Sequence, residues 1–265
     1  VTTVTIRASS IKTLLDCPAR FEATQIRGMR MPSNGKATLG KAVHASTAVF
    51  DQAKLDGNPL LADEAAGALV DAIHRPDEEV QWDEDMAPSD AESIGLALHR
   101  KYCDVIAPAQ DYVAVEATCE RLEITDLGIA LTGTTDRIRR VGDGYGIADL
   151  KTGKAAVRTD GSVDVSKHVV QLGVYELLAE NAIGMQMTAP AQIVGMQTGK
   201  TDKAQRVGTA DVHTARELLI GTQDQPGVLE YAAKLIHQGL FYGNASSPMC
   251  DPKYCPAYNQ CHFRR

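Results

Sequence analysis

Tyr145-Gly146-Ile147-Ala148-Asp149-Leu150-Lys151-Thr152-Gly153-Lys154 opens as a short apolar run and closes on a glycine break, the pattern of a buried strand and its exit turn. Strand alternation puts Asp149 and Lys151 on one face and Ala148 and Leu150 on the other. A carboxylate beside an ammonium can be a plain ion pair, and Asp-x-Lys occurs often by chance, so neighbouring segments must decide. Upstream, Leu131-Thr132-Gly133-Thr134-Thr135-Asp136-Arg137-Ile138 reads as a second strand with an acid near its end, and Gly142-Asp143-Gly144 supplies a hairpin turn between the two. Pairing these strands brings Asp136 and Asp149 together at one end of the sheet. Close carboxylates repel unless one is protonated or a cation lies between them. Mg²⁺ and Mn²⁺ prefer such oxygen donors, and Lys151 then stands where it can orient a metal-bound water. The alternative is a surface hairpin whose Asp–Lys and Asp–Arg pairs contribute little.

The rest of the chain places these strands in a sheet. Ser9 and Ser10 are suitable N-caps, and Ile11, Leu14, Leu15 and Phe21 recur at helical spacing. That helix carries Cys17 and ends near Gly28, before a loop over 29–37. Helices are expected over 39–55, with His44 beside the apolar stripe, over 60–74 and over 91–106, with an acidic surface loop at 75–90. Strands follow at 112–116, 129–138 and 145–151, then a helix at 168–183, a strand at 191–196, and helices at 211–220 and 227–240. The order indicates an α/β fold, a mixed sheet with helices packed on it. One domain over 1–265 is expected, with a mainly helical region at 1–110, a core at 111–240 and a cysteine segment at 241–265.

At 265 residues, with 44% hydrophobic and 23% charged residues, the composition is that of an ordinary globular protein. No apolar run is long enough to span a bilayer and no signal-peptide pattern appears, so a cytoplasmic location is expected. The net charge of −7 argues against a protein that coats nucleic acid indiscriminately. A nuclease remains compatible, because metal-binding carboxylates count as negative while their metals go uncounted. The acidic surplus over 51–92 reads as a solvated outer face. Six cysteines suggest metal or redox chemistry more than a disulfide framework. Cys250, Cys255 and Cys261 lie close together and Cys17 lies at the other end. Four thiolates suit a 4Fe-4S cluster or a structural zinc, and the missing Cys-x-x-Cys pairs weigh against zinc. Cys103 and Cys119 read as small buried hydrophobes.

Gly-Thr-Thr-Asp-Arg-Ile followed by Ala-Asp-Leu-Lys-Thr-Gly-Lys resembles the core of the PD-(D/E)XK nucleases, specifically the RecB-type branch. Leu39-Gly40-Lys41-Ala42-Val43-His44 resembles the helix whose histidine is a metal ligand there, and Gln171-Leu172-Gly173-Val174-Tyr175 resembles the branch's Gln-x-x-x-Tyr motif. Residues 9–18, ending in Asp16-Cys17-Pro18, resemble the N-terminal cysteine segment of the iron–sulfur members in helicase–nuclease and CRISPR-adaptation systems. The resemblance implies a restriction-endonuclease-like mixed sheet and a metal-dependent DNA exonuclease acting 5′→3′ on single-stranded or frayed DNA, in recombination, repair or phage DNA metabolism. It implies Mg²⁺ or Mn²⁺ held by His44, Asp136, Asp149 and the Leu150 backbone carbonyl, with Glu116 preferred over Glu120 as a further acid. Asp136, Asp149, Lys151, Gln171 and Tyr175 would serve catalysis, and Arg137, Lys154, Gln171 and Tyr175 would contact DNA. A 4Fe-4S cluster on Cys17, Cys250, Cys255 and Cys261 would clamp the tail to the first helix. Four residues separate Cys250 from Cys255 where the family usually has two, and His262 is a substitute ligand to weigh. The middle acid is Asp149 where the family often has Glu. Any helicase would be a separate protein, since no Gly-x-x-x-x-Gly-Lys-Ser/Thr motif occurs. The alternative is a non-catalytic DNA-binding accessory protein with an iron–sulfur or zinc structural site.

Overall fold

A computed structural model describes residues 3–264. The chain opens with a strand, β1 (Val4–Arg7), that runs straight into α1 (Ala8–Asp16). The N-cap of α1 is Arg7, without a side-chain cap; Ser10 Oγ instead bonds back to the Arg7 carbonyl at 2.8 Å. Cys17 breaks the helix in an extended conformation, followed by α2 (Pro18–Phe21) with Pro18 at its first position and a wide π turn at Glu22–Ile26. After the short β2 (Ser33–Asn34) comes α3 (Gly35–Leu55), capped by Asn34 Oδ1 accepting from the Ala37 amide. Residues 60–74, expected as one helix, form two, α4 (Ala62–Ala65) and α5 (Gly67–His74). The loop expected over 75–90 holds β3 (Val80–Gln81), which pairs with β2, and ends as α6 (Pro88–Lys101) begins.

The main sheet contains β1 with β4 (Tyr112–Ile124), β5 (Ile129–Val141), β6 (Gly144–Gly153), β7 (Ala191–Gln197) and β8 (Val207–Val212). Helix α7 (Val169–Ile183) is the crossover between the parallel strands β6 and β7. Helices α8 (Ala215–Ile220) and α9 (Val228–His237) follow β8. The helix expected over 211–220 begins only at Ala215, because 207–212 pair antiparallel with β7. The architecture is a mixed α/β sheet flanked by helices. One core packs α1, α7, α8 and α9 on one face of the sheet, and the other packs α3, α5 and α6 on the opposite face. No helix among the described residues is long and apolar enough to cross a membrane.

The feature that positions the site is a change of partner along β5. Residues 129–132 pair parallel with β1, while residues 137–141 pair antiparallel with β6. β4 covers the other edge of β5 throughout. Residues 133–136 have no ladder partner on the shared edge, and β6 beyond Ala148 pairs only with β7. The result is a fork in the middle of the sheet. Alternation also slips here. Ile129, Leu131 and Ile138 all belong to the α1–α7 core, although an odd number of steps separates Leu131 from Ile138. Gly133 lies under α7, where an added Cβ would sit 3.2 Å from the Tyr175 ring.

Candidate metal centre

Register puts Glu116, Asp136 and Asp149 in one row across three strands, since Val115 and Ala148 both pair with Arg137. The two aspartates therefore meet at the fork in mid-sheet, rather than at one end of it as expected. On β6, Ile147 packs in the α7-side core while Ala148 and Leu150 pack in the α3-side core. Asp149 and Lys151 thus share the α7 side, as the alternation predicts.

Asp136 projects into the fork. Its Oδ2 accepts the main-chain N–H of Leu150 at 2.7 Å and lies 3.6 Å from His44 Nδ1. His44 comes from α3, across an edge no strand occupies. One donor atom each from His44, Glu116 and Asp136 falls within 4.8 Å of the others, the single such group among the described residues. Asp149 stands just outside that trio, with Lys151 Nζ 2.5 Å from its Oδ2. That oxygen is buried, and the Lys151 ammonium is its ion-pair partner.

The electrostatics follow from these distances. Burial raises the Asp149 carboxyl to about 6, with Asp136 adding to the effect and Lys151 opposing it. Burial also works to raise Asp136, but His44, Lys151 and the Leu150 amide outweigh it and hold this carboxyl below its ordinary value. For His44, Asp136 overcomes the effect of burial and raises the imidazole. Glu116 is raised by burial and by Asp136, against the pull of Arg137. Crowded, partly dehydrated carboxylates with one imidazole are a donor set for a hard divalent cation.

A sequence profile of the PD-(D/E)XK nuclease superfamily matches residues 5–262. The chain belongs to that superfamily. Against curated proteins nothing matches. Among solved structures, that of SSO0001 is 13% identical with a TM-score of 0.43, over 98% of this chain and 87% of that one. Superfamily membership supports a metal-dependent nuclease, a phosphodiester hydrolase acting on DNA with divalent ions such as Mg²⁺ or Mn²⁺.

Other residues expected at this nuclease site fall in three positions. Gln171 and Tyr175 are together, Gln171 Nε2 donating to Tyr175 Oη at 3.1 Å, but both are more than nine-tenths buried. That placement suits support of the fork better than DNA contact. Lys154 is exposed and lines a cleft of about 450 Å³ with Lys36, Leu39, Thr152 and Lys200. Arg137 is a correction: its side chain is fully buried and bonds to α3, so it presents nothing to DNA. Its partner Asp51, which the acidic surplus places on a solvated face, is 2% exposed. Sequence reasoning missed this pair, although Asp51 lies two helical turns from His44, which marked it as an acid on a site-bearing helix. Glu120 is exposed and outside the donor group, whereas Glu116 is in it.

The four expected cluster ligands converge. Cys17, Cys250, Cys255 and Cys261 line one pocket between α2 and the tail, and the Asn244 amide donates to Cys17 Sγ at 3.5 Å. No three of these sulfurs lie within 4.8 Å of one another among the described residues. His262 is not in the lining and packs on Phe263, ring centroids 3.9 Å apart. Cys103 and Cys119 are buried away from this group.

Proposed function

We propose that the chain is a metal-dependent exonuclease that hydrolyses single-stranded or frayed DNA 5′→3′ in recombination, repair or phage DNA metabolism. The observation that carries this reading is the convergence of His44, Glu116 and Asp136 beside the Asp149–Lys151 pair in the sheet fork. His44, Glu116, Asp136, Asp149 and the Leu150 carbonyl would hold Mg²⁺ or Mn²⁺. When bound, such an ion lowers the pKa of a water and offsets charge developing on the phosphate. Lys151, kept beside Asp149, orients the attacking water and places a positive charge near the phosphate oxygens. The Leu150 amide fixes the rotamer of Asp136, and Tyr175 over Gly133 closes the α7 side of the fork. Lys154 and the neighbouring lysines of the cleft track the backbone phosphates.

The same proposal gives Cys17, Cys250, Cys255 and Cys261 to a 4Fe-4S cluster. The four thiols lining one pocket support that assignment. Such a group would join the two ends of the chain and stabilise the fold. A separate helicase or recombination protein would supply unwound ends.

The test is anaerobic purification, then cleavage of DNA labelled separately at each end, with Mg²⁺, with Mn²⁺ and with chelator. Metal-dependent release of short products from the 5′ end of single strands is expected. No cleavage of any DNA with either metal would overturn the enzymatic reading and favour an accessory DNA-binding role.

A further inference from the structure

Behind the donor trio lies a buried cation with no role in holding metal or DNA. Arg137 is 0% exposed and its guanidinium reaches three elements. Nε donates to Asp51 Oδ2 at 2.7 Å and Nη2 to Thr47 Oγ1 at 3.2 Å, both on α3. Nη1 donates to Glu116 Oε1 on β4 at 3.2 Å and to the main-chain oxygen of Asp136 on β5 at 2.7 Å. Asp51 is fixed in turn by Tyr102 Oη at 2.6 Å, and the Tyr112 ring lies 5.8 Å from the guanidinium carbon. Dehydrating such a pair is costly, and well-packed apolar residues often replace buried pairs without loss. Stability alone therefore does not account for an arginine here.

Glu116 supplies the missing reason. It is the one non-glycine residue with positive φ among the described residues, at +47°, a strained conformation that persists only where its surroundings enforce it. Arg137 is the hydrogen-bond partner of its carboxylate. The side chain is 43% exposed, so without that bond it would be free to leave for water. Its natural exit is favoured by repulsion from Asp136 in the next strand.

We propose that Arg137 is the positioning residue of the metal site: braced by Asp51 and Tyr102, it holds Glu116 and the Asp136 main chain so that three donors stay converged before a metal arrives. The role rests on the metal-site reading above and extends it to a residue that touches neither metal nor substrate. It makes α3 a rigid bracket, carrying His44 as a donor and, two turns on, Asp51 as the anchor of the arginine.

The experiment measures Mn²⁺ affinity without DNA, from the electron paramagnetic resonance signal of free Mn²⁺, in a double-mutant cycle of Arg137→Lys and Glu116→Gln. Lysine keeps the charge but cannot bond Asp51, Thr47 and Glu116 together. In the otherwise wild-type protein Arg137→Lys is expected to weaken Mn²⁺ about 10- to 100-fold, the range for residues that orient metal ligands. In the Glu116→Gln background the same change should cost several-fold less, because one of the two donors it positions is already gone and only its hold on the Asp136 main chain remains to be lost. Equal losses in both backgrounds would mean a merely structural arginine and would overturn the proposal. So would unchanged affinity in Arg137→Lys while the wild type binds Mn²⁺. If wild type itself binds no Mn²⁺, the metal-site reading fails and this role with it. Should Arg137→Lys not melt cooperatively, Tyr102→Phe, which removes the hydroxyl bonds to Asp51 and Tyr112, takes its place in the cycle with the same criteria.

Discussion

The main-chain N–H of Leu150 donates to Asp136 Oδ2 at 2.7 Å, at the row where β5 stops pairing with β6. A side chain therefore takes the place of a ladder bond, and the fork is closed by the carboxylate that the site needs. The contact also explains how a buried Asp136 stays ionised. An amide N–H, His44 and Lys151 together outweigh the burial. Asp136→Asn keeps the shape of the fork and removes the charge that would hold the ion, so most DNA cleavage with Mn²⁺ should be lost while cooperative melting is retained.

Asp149→Asn and Lys151→Ala probe the other half of the site. Each should abolish cleavage of end-labelled DNA and leave DNA retention in gel shifts largely intact, since the phosphate contacts proposed along the cleft would be untouched. Full cleavage by either purified variant would remove the Asp149–Lys151 pair from the mechanism.

Glu176 makes a prediction about stability rather than activity. It lies on α7, is 6% exposed, and burial raises its carboxyl from 4.5 to about 7, with Arg216 opposing and Glu180 assisting. The folded pKa exceeds the unfolded one, so the associated stability is complete below about pH 4.5 and is lost as pH rises through 7. At pH 8 the ionised side chain costs on the order of 2 kcal/mol once solvent screening is allowed for. Glu176→Gln should raise the melting temperature at pH 8 and change it little at pH 4.5. Equal shifts at both pH values would contradict the assignment.

Close packing inside the Gln171-to-Tyr175 segment gives a further test. A Cβ on Gly173 would sit 2.5 Å from the Ala215 carbonyl oxygen and 2.9 Å from Leu219 Cβ, so α7 approaches α8 more closely than any larger residue allows. Gly173→Ala should destabilise by about 1–3 kcal/mol through overpacking, read as a lower denaturation midpoint with an unchanged m-value. An unchanged midpoint would mean that α8 yields freely.

The hairpin turn Gly142-Asp143-Gly144 and strand alternation make the meeting of Asp136 and Asp149 legible in the sequence, because both depend on residues close along the chain. The fork itself is not legible there. It exists because β1 competes with β6 for one edge of β5, and a four-residue strand such as Val4–Arg7 carries too little periodicity to be read. Val207–Val212 is hidden for the same reason, its strand character coming from pairing with β7. Isolated arginines default to the surface, which is why the sequence points Arg137 at DNA. Its anchor lies 86 residues away in sequence, and no local pattern joins them. The φ of Glu116 is likewise a property of the assembled row, not of its own segment.

The two ends of the chain meet at Cys17, which stops α1 and faces Cys250, Cys255 and Cys261 in one pocket. The tail is irregular apart from a short 3₁₀ turn at Tyr258–Gln260. Bonds such as Ser247 Oγ to Asp16 at 2.6 Å and Asn244 Nδ2 to the Asp16 carbonyl at 3.0 Å hold it, and the proposed thiolate ligation would add to them. Removing one ligand from a four-thiolate site should release the metal and free the long loop that it closes between the chain ends, whose closure carries a large entropy. Cys17→Ala purified without oxygen should therefore be colourless, depleted in iron and sulfide, and lower in melting temperature than wild type. Wild-type protein with one zinc and no visible absorption would replace the iron–sulfur assignment, and Cys17→Ala with full absorption and iron would remove Cys17 from the ligand set.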